Sequence, residues 1–297
     1  MQENDIEYEL CGECKRCCEW DLMHIVNEDV AFLSDTECSR ERKEKWYPLY
    51  KQMLKRYEWN FEKKKIDFWI YLGDNPEKAY WAVKLKIIKS DNIFAFVTMK
   101  GMESVVIPVP DYMYYEFSGG GGNYDECIKK YKKCSKFSWK CEKAFWIGNL
   151  SNHSSREKLY LLGKTHLEDL EIRAFDWSNL ENFVPYTELY QYKYLIDVRG
   201  CAGWSDRLQV LIHLGRVIFV NERDCIQFWM MYGWEAGKHY ISVREDFSDL
   251  VEKKKELDLF PWKYRKIVEE MHFYAEKFLT KDFALKYLKN TILKYAV

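Results

Sequence analysis

The chain has 297 residues, of which 47% are hydrophobic and 17% aromatic. This length suffices for two modest domains, and this composition excludes an intrinsically disordered chain. The 46 basic and 47 acidic side chains give a net charge of −1, so no basic excess calls for a nucleic-acid partner.

No apolar run of the sequence approaches the length of a membrane span, so no membrane-spanning segment is expected. The opening residues are polar and rich in cysteine, unlike a secretory signal peptide, and the chain ends Lys-Tyr-Ala-Val, which is no retention signal. If the sequence is complete, we therefore expect a cytoplasmic protein. A leader removed from the sequence would invalidate that inference.

Four of the ten cysteines, Cys11, Cys14, Cys17 and Cys18, form a CxxCxxCC cluster. Zinc ligands, disulfides and free thiols are the three interpretations. The cluster is too tight for an ordinary two-knuckle zinc site and no histidine accompanies it. We expect free thiols or a few disulfides rather than a metal.

In the first half of the chain, an irregular segment to about residue 45 precedes an amphipathic helix from Lys45 to Lys63. Four glycines, Gly119 to Gly122, predict a surface loop before a basic helix over 125–136. Between these helices, β-branched and aromatic content predicts four strands: Asp67–Leu72, Tyr80–Ile88, Ile93–Thr98 and Ser104–Val109.

In the second half, strands are predicted at 144–146, 170–175, 194–198 and 217–220, with a helix from Ser155 or Arg156 and a helical tail over 261–296. Strands that alternate with helices in two halves predict an α/β fold with parallel sheets.

The segment after the strand at 194–198 has the form of a turn that binds phosphate. Gly200 and Gly203 lie in the turn, and a helix is predicted to open at Ser205, a favoured N-cap residue. In its first turn Arg207 could fork onto a diphosphate. An ordinary βαβ unit with a glycine loop has the same pattern, and these residues alone do not decide between the two.

Several short motifs of this half follow one another in a fixed order. They are Tyr-Lys-Tyr, Asp197-x-Arg-Gly, Gly203-Trp-Ser-x-Arg207, Leu-Gly-x-Val-Ile-Phe, His239-Tyr-Ile-Ser-Val and Asp246-Phe-Ser-Asp-Leu. This order resembles glycosyltransferase family 90, which includes protein O-glucosyltransferases, capsule xylosyltransferases and lipopolysaccharide-modifying enzymes. The resemblance is strong over the last half of the chain and weaker before it.

The resemblance implies a GT-B fold, in which two Rossmann-like domains face each other across a cleft. We expect an N-terminal domain over 1–140 that holds the acceptor and the base, with the helix over 275–297 crossing back onto it. A C-terminal domain over 141–274 would bind the nucleotide sugar.

Asp111 is the catalytic base that the resemblance implies, because the matching strand of the family ends in an aspartate followed by an aromatic residue. An acceptor hydroxyl needs a group to take its proton, and one carboxylate suffices for single-step inversion. Here Pro108 and Pro110 replace the usual asparagine and arginine. Pro-Asp-Tyr also suits a surface turn, but the resemblance favours the base.

The loop after the strand at 144–146 is expected to contact the donor through Gly148, Asn149 and Ser151, with Arg156 on the phosphates. Ile147 stands where the family usually has an arginine, so one positive charge is missing. The alternative for Arg156 is a solvated helix start.

Five further residues complete the predicted donor site: Arg199, Gly200, Gly203, Ser205 and Arg207. A departing UDP carries about two negative charges that a metal or fixed donors must neutralise. The sequence has no Asp-x-Asp triplet, and arginines with backbone amides would serve without a metal. No cofactor beyond the UDP-sugar is expected.

The sequence therefore predicts an inverting, metal-independent glycosyltransferase that moves xylose, or else glucose, from a UDP-sugar to a hydroxyl of a glycan or protein acceptor. The departures at Ile147, Pro108 and Pro110 motivate the alternative of a degenerate carbohydrate- or nucleotide-binding protein of the same fold. A NAD enzyme is poorly supported, because no GxGxxG follows a strand. Without a leader, the chain suits a bacterial or large-DNA-virus member better than the secretory animal members.

Overall fold

The structure is a computed structural model that describes residues 20–26, 29–32, 37–56, 66–73, 75–86, 88–117, 122–176, 183–200, 203, 205 and 207–295. The cysteine cluster at 11–18 and the first three glycines of the predicted glycine loop lie outside these ranges. Within them, no helix is both long enough and apolar enough to cross a membrane.

Two compact units divide the chain. Unit 1 takes its residues from 1–115, 226–228 and 285–297, and unit 2 from 116–225 and 229–284. The predicted domain limits differ from these at 116–140, 226–228 and 275–284, and they stay a prediction.

Between residues 20 and 108, the part of the chain that the structure describes contains two α-helices and six strands. They are β1 (Trp20–Val26), β2 (Asp29–Phe32), α1 (Glu37–Arg56), β3 (Ile66–Tyr71), α2 (Pro76–Lys84), β4 (Ile93–Ala95), β5 (Thr98–Met99) and β6 (Val106–Pro108). A five-stranded sheet has the order β2-β1-β3-β4-β6, with β1 antiparallel to its two neighbours and β4 parallel to both of its own.

The predicted strand Tyr80–Ile88 is wrong, because these residues begin inside α2. Asn75 accepts a hydrogen bond from the backbone N–H of Glu77 at 3.0 Å, and Pro76 occupies the first turn, so the helix has a good start. The buried residues of α2 recur at helical spacing. Its aromatic residues are also typical of strands, and they led to the wrong prediction. The strands β1 and β2 were also missed, since their region was predicted to be irregular.

Between residues 116 and 295, the described ranges contain six α-helices and eight strands. They are β7 (Glu116–Phe117), β8 (Gly122–Asn123), α3 (Tyr124–Cys134), β9 (Cys141–Gly148), α4 (Ser154–Thr165), β10 (Leu170–Ala174), β11 (Tyr192–Asp197), α5 (Leu208–Leu211), β12 (Val217–Asn221), β13 (Cys225–Ile226), β14 (Ile241–Val243), α6 (Leu250–Leu259), α7 (Pro261–Phe278) and α8 (Lys281–Tyr295).

The main sheet of unit 2 has the order β10-β9-β11-β12-β14, and every neighbouring pair is parallel. Its strands are rich in buried β-branched and aromatic residues, and α4, α6 and α7 contribute apolar side chains to the same core. The predicted α/β class with parallel strands is thereby confirmed.

The strand order of this sheet reverses between β9 and β11. From β9 the chain goes to β10 on one side, and it then returns to form β11 on the other side. The loops that leave the carboxyl ends of β9 and β11 therefore part from each other and leave a crevice, which is where open α/β sheets bind their ligands.

The helix predicted to open at Ser205 begins instead at Leu208, and it has only four residues. The Ser205 hydroxyl donates a hydrogen bond to Asp197 at 2.7 Å and does not cap a helix. The buried carboxylate of Asp197 accepts this O–H in a charge-assisted hydrogen bond, which places the serine in the loop before the helix.

His213 is buried in unit 2, and neither ring nitrogen has a hydrogen-bond partner among the described residues. Burial, with smaller contributions from Lys132 and His272, lowers its pKa from 6.5 to about 3. The unfolded chain therefore binds more protons than the folded chain between these values, so stability is lost as the pH falls from 6.5 towards 3.

We expect His213→Leu to flatten this pH dependence, because it removes the titrating ring from the core. Urea unfolding at neutral pH and at about pH 5 measures the difference for each variant. The control is His166→Gln, at a partly exposed histidine. An unchanged difference in His213→Leu would contradict the assignment.

Candidate functional site

The loop after β9 is fixed by its own side chains. The Asn149 carboxamide oxygen accepts hydrogen bonds from the Ser151 backbone N–H at 2.8 Å and from the Ser151 hydroxyl at 2.7 Å. At Gly148 an added Cβ would meet the Trp146 ring at 2.5 Å, so only glycine lets the chain turn against this buried indole. Three of the predicted donor residues thus form one compact turn.

Arg156 lies in the first turn of α4 and connects the two loops of the crevice. Its Nε donates to the carbonyl oxygen of Arg199 at 3.0 Å, and its Nη1 donates to that of Asn149 at 2.9 Å. Arg156 is only 6% exposed, which excludes the alternative of a solvated helix start. The guanidinium is therefore held rigidly across the point where the strand order reverses.

Asp197, the last residue of β11, organises the loop that follows it. Its carboxylate is fully buried, accepts the Ser205 hydroxyl and pairs with the guanidinium of Arg223. The Nε of Arg207 lies 3.9 Å from the same carboxylate, and its Nη1 donates to the carbonyl oxygen of Ile147 at 2.5 Å. Arg207 therefore also spans from the β11 loop to β9.

Arg199 is held by the neighbouring strand. Its backbone N–H donates to the Asn221 side chain at 3.1 Å, and its Nη1 lies 3.9 Å from Glu245. Its Nε is buried and has no hydrogen-bond partner within the ranges that the structure describes.

Gly200 and Gly203 form a turn that directly follows Arg199. The N–H of Gly203 donates to the Gly200 carbonyl at 3.2 Å, and Gly203 has a φ of +86°. A Cβ at Gly203 would lie 2.4 Å from the Sγ of Cys225 and 3.2 Å from Nη2 of Arg199. Both the backbone angle and the space therefore require glycine at this position.

The guanidinium groups of Arg156 and Arg207 both lie 5.8 Å from the centre of the Trp146 ring. With Arg199 and Arg223 the site holds four guanidinium groups, and its two carboxylates, Asp197 and Glu245, lie beside three of them, those of Arg199, Arg207 and Arg223. The remaining positive charge suits a ligand with about two negative charges.

His153 lies close enough to these arginines for their positive charge to affect its pKa. It caps α4 by accepting the Ser155 N–H at 3.2 Å. Burial lowers its pKa, and the guanidinium of Arg199 lowers it further. A neutral imidazole leaves its Nδ1 able to accept the capping hydrogen bond.

In unit 1, Asp111 follows β6 and is only 4% exposed. Its Oδ1 accepts the backbone N–H of Met113 at 2.8 Å and so caps a short 3-10 turn over Tyr112–Tyr114. In the same unit the hydroxyl of Tyr287 in α8 donates to the Pro108 carbonyl at 2.8 Å, which fixes the end of β6. Asp111 does form a turn as one alternative predicted, but this turn is buried.

The predicted donor residues thus fall together in unit 2, at the carboxyl ends of β9 and β11, whereas Asp111 belongs to unit 1. The sequence reasoning missed the supporting residues Asp197, Asn221 and Arg223. Asp197 and Asn221 are polar residues that end buried strands, and this position was the signal available for them.

In the part of the chain that the structure describes, no three histidine, cysteine or acidic side chains are grouped as metal ligands would be. Cys127, Cys134 and Cys141 are free cysteines there.

We expect Asp197→Asn to destabilise unit 2 by roughly 3–5 kcal/mol, because it leaves the buried guanidinium of Arg223 without its counter-charge. Urea unfolding measures the loss of stability. Glu245→Gln is the matched control, since its ion pair with Arg199 is half-exposed and worth about 0–1 kcal/mol. Equal effects of the two substitutions would show that Asp197 does not organise the loop.

Comparison with known proteins gives relatives and a family. A Protein O-glucosyltransferase 2 from Danio rerio is 24% identical over 242 residues, which cover 78% of this chain and 47% of that protein. An uncharacterized protein 179R of Invertebrate iridescent virus 6 is 26% identical over 113 residues, 36% of this chain and 9% of its own length. The chain thus spans less than half the length of these curated relatives.

Among solved structures, a glycosyltransferase from Rickettsia africae ESF-5 aligns with a TM-score of 0.41 at 10% identity, over 76% of this chain and 69% of that one. The profile of Glycosyl transferase family 90 matches residues 26–297. The resemblance inferred from the ordered motifs is confirmed, and the chain belongs to glycosyltransferase family 90.

Proposed function

We propose that this protein transfers a sugar from a UDP-sugar to an acceptor hydroxyl, with the diphosphate bound at the crevice between β9 and β11. The observation that carries this proposal is the pair of arginines, Arg156 and Arg207, that cross the crevice and are fixed by backbone carbonyls. A guanidinium that is already positioned loses little entropy when it binds a phosphate.

The same arginines would stabilise the leaving group. Cleavage of the glycosidic bond develops negative charge on UDP, and fixed donors aimed at that charge lower the barrier. Arg199 brings a third guanidinium whose buried Nε has no partner in the described residues, so a phosphate oxygen would satisfy it. This donor set supports transfer without a metal ion.

Asp111 is the proposed base. Its burial removes water that would compete for the acceptor proton, and the Met113 N–H holds one of its oxygens in place. A single base on the acceptor with direct displacement gives inversion at the anomeric carbon. This chemistry requires the GT-B arrangement, in which the two units face each other across a cleft, and that arrangement is part of the proposal.

Two UDP-sugars are candidate donors, and two classes of molecule are candidate acceptors. Xylose is the expectation from the sequence, and glucose is supported by the name of the Danio rerio relative. The acceptor is a hydroxyl of a glycan or of a protein. An origin in a bacterium or a large-DNA virus stays a prediction, and one of the relatives, matched over 36% of this chain, is a viral protein.

The sharpest test of the base is Asp111→Asn, because asparagine still accepts the Met113 N–H and preserves the turn. We expect transfer to fall by roughly 10²–10⁴-fold, with the unfolding midpoint unchanged. The assay is UDP release from UDP-xylose and UDP-glucose in the presence of acceptor glycans. Equal rates in the two proteins would exclude Asp111 as the base, and UDP binding without release by either would favour the degenerate binding protein.

The donor site is tested by UDP titration calorimetry. Arg156→Lys should weaken UDP binding by about tenfold or more, because an ammonium cannot reach two carbonyls and a phosphate in the planar geometry of a guanidinium. Lys158→Ala, at an exposed position of the same helix, removes one positive charge and should change the affinity little.

Metal independence is tested by the same UDP-release assay with EDTA. We expect the rate to be retained, since the proposed neutralising groups are guanidiniums. Loss of activity that Mn²⁺ restores would contradict this part of the proposal.

A further inference from the structure

Unit 2 contains a cavity of about 780 Å³ beside the edge strand β14, which is open to solvent. Its wall comes from the segment before β14, from Ile241 and Ser242 of β14 itself, and from side chains of α6 and α7. This volume lies within the roughly 300–1,000 Å³ of small-molecule sites.

The cavity is separate from the crevice that binds the diphosphate in the proposed function. Strand β12 lies between β14 and β11, so the edge strand is about 10 Å from β11 and farther from β9. The residues that line the cavity include none of the arginines of the crevice.

The charged side chains that line the cavity are four lysines and two glutamates, and two of the lysines pair with carboxylates outside the lining. Lys253 lies 2.7 Å from Asp249, Lys263 lies 2.5 Å from Glu256, and Lys238 lies 3.8 Å from Glu270. Of the remaining charged lining residues, Lys266 and Glu235 carry opposite charges and have no ion pair among the described residues. With Asp249 and Glu270 counted, four acidic side chains balance the four lysines, so the surroundings of the cavity carry no net charge that would favour an anionic or cationic ligand.

The paired charges nevertheless present many hydrogen-bonding groups. An ammonium has three donors and a carboxylate about four acceptor positions, so each ion pair retains capacity for further partners. Lys253 also donates to the Ser242 carbonyl at 2.7 Å, which fixes its position. Such a lining matches a neutral ligand that carries many hydroxyl groups.

An aromatic ring stands at the same cavity. Trp262, in the first turn of α7, lines it and is 56% exposed. The ammonium of Lys263 lies 5.9 Å from the centre of the indole ring, which is otherwise exposed. The flat apolar surface of the indole matches the C–H face of a sugar ring, which is the apolar surface that a hydroxyl-rich ligand can offer.

We propose that this cavity binds a neutral oligosaccharide, with one sugar ring stacked on Trp262 and the hydroxyls held by the ion-paired lysines and carboxylates. The open side admits a chain that extends beyond the cavity. This binding does not depend on the proposed transfer reaction.

The test is calorimetric titration of the full chain with three neutral hexasaccharides, cellohexaose, maltohexaose and xylohexaose, and with hexagalacturonate as the charged comparison. We expect at least one neutral hexamer to bind, hexagalacturonate to bind no better, and excess UDP to leave the affinity unchanged. Trp262→Ala should weaken binding by about fivefold to tenfold, since a stacked ring contributes roughly 1 kcal/mol or more.

Matched controls separate this site from general surface effects. Phe273→Ala removes an aromatic ring that is 67% exposed on the same helix and does not line the cavity, so the affinity should be retained. Lys266→Ala should weaken binding several-fold, whereas Lys129→Ala on the exposed face of α3 should not.

Four results would overturn the proposal. They are no binding of any neutral hexamer, binding of hexagalacturonate alone, equal losses in Trp262→Ala and Phe273→Ala, and competition by UDP. The titration measures oligosaccharide binding directly, so its outcome does not depend on transferase activity. A protein without transferase activity could still bind the oligosaccharide, and an active one could fail to bind it.

Discussion

The buried carboxylate of Asp197 holds the centre of unit 2 together. It ends β11, and it binds the Ser205 hydroxyl and the Arg223 guanidinium, with Arg207 close by. A fully buried carboxylate is costly unless it is paired and hydrogen-bonded, so the loop must supply these partners in order to fold. The conformation of the loop after β11 is thus set from inside the protein, before any ligand is bound.

Two guanidinium groups have fixed positions beside this core, and a third arginine is held through its backbone. Arg207 reaches from the β11 loop to β9, Arg156 reaches from α4 to both loops, and the backbone N–H of Arg199 is held by Asn221. The guanidiniums of Arg156 and Arg207 are fixed by backbone carbonyls, so little reorganisation of these two groups remains when an anion arrives. The order of the parallel strands decides where these loops part, and the arginines cross that same point.

Much of unit 2 was predictable, because its strands are short, apolar and rich in β-branched residues. The start of the helix after β11 was not predictable, and the sequence placed it wrongly at Ser205. A serine before an apolar run is typical of an N-cap, and nothing in the local sequence tells that Asp197, eight residues earlier, takes its hydroxyl. The same limit applies to α2, where aromatic content favoured a strand while Asn75 and Pro76 marked a helix start. Arg156 was predicted by family resemblance, and Gly203 and Arg207 by the pattern of the turn together with that resemblance, whereas Asn221 and Arg223 required the geometry.

The close approach of Gly203 to Cys225 has a consequence for sequence variation. The turn has no room for a methyl group beside the sulfur, and its left-handed backbone angle already disfavours other residues. Replacing the cysteine by a bulkier residue would push on the glycine, and replacing the glycine would push on the cysteine. Across related proteins, these two positions should therefore evolve as a coupled pair.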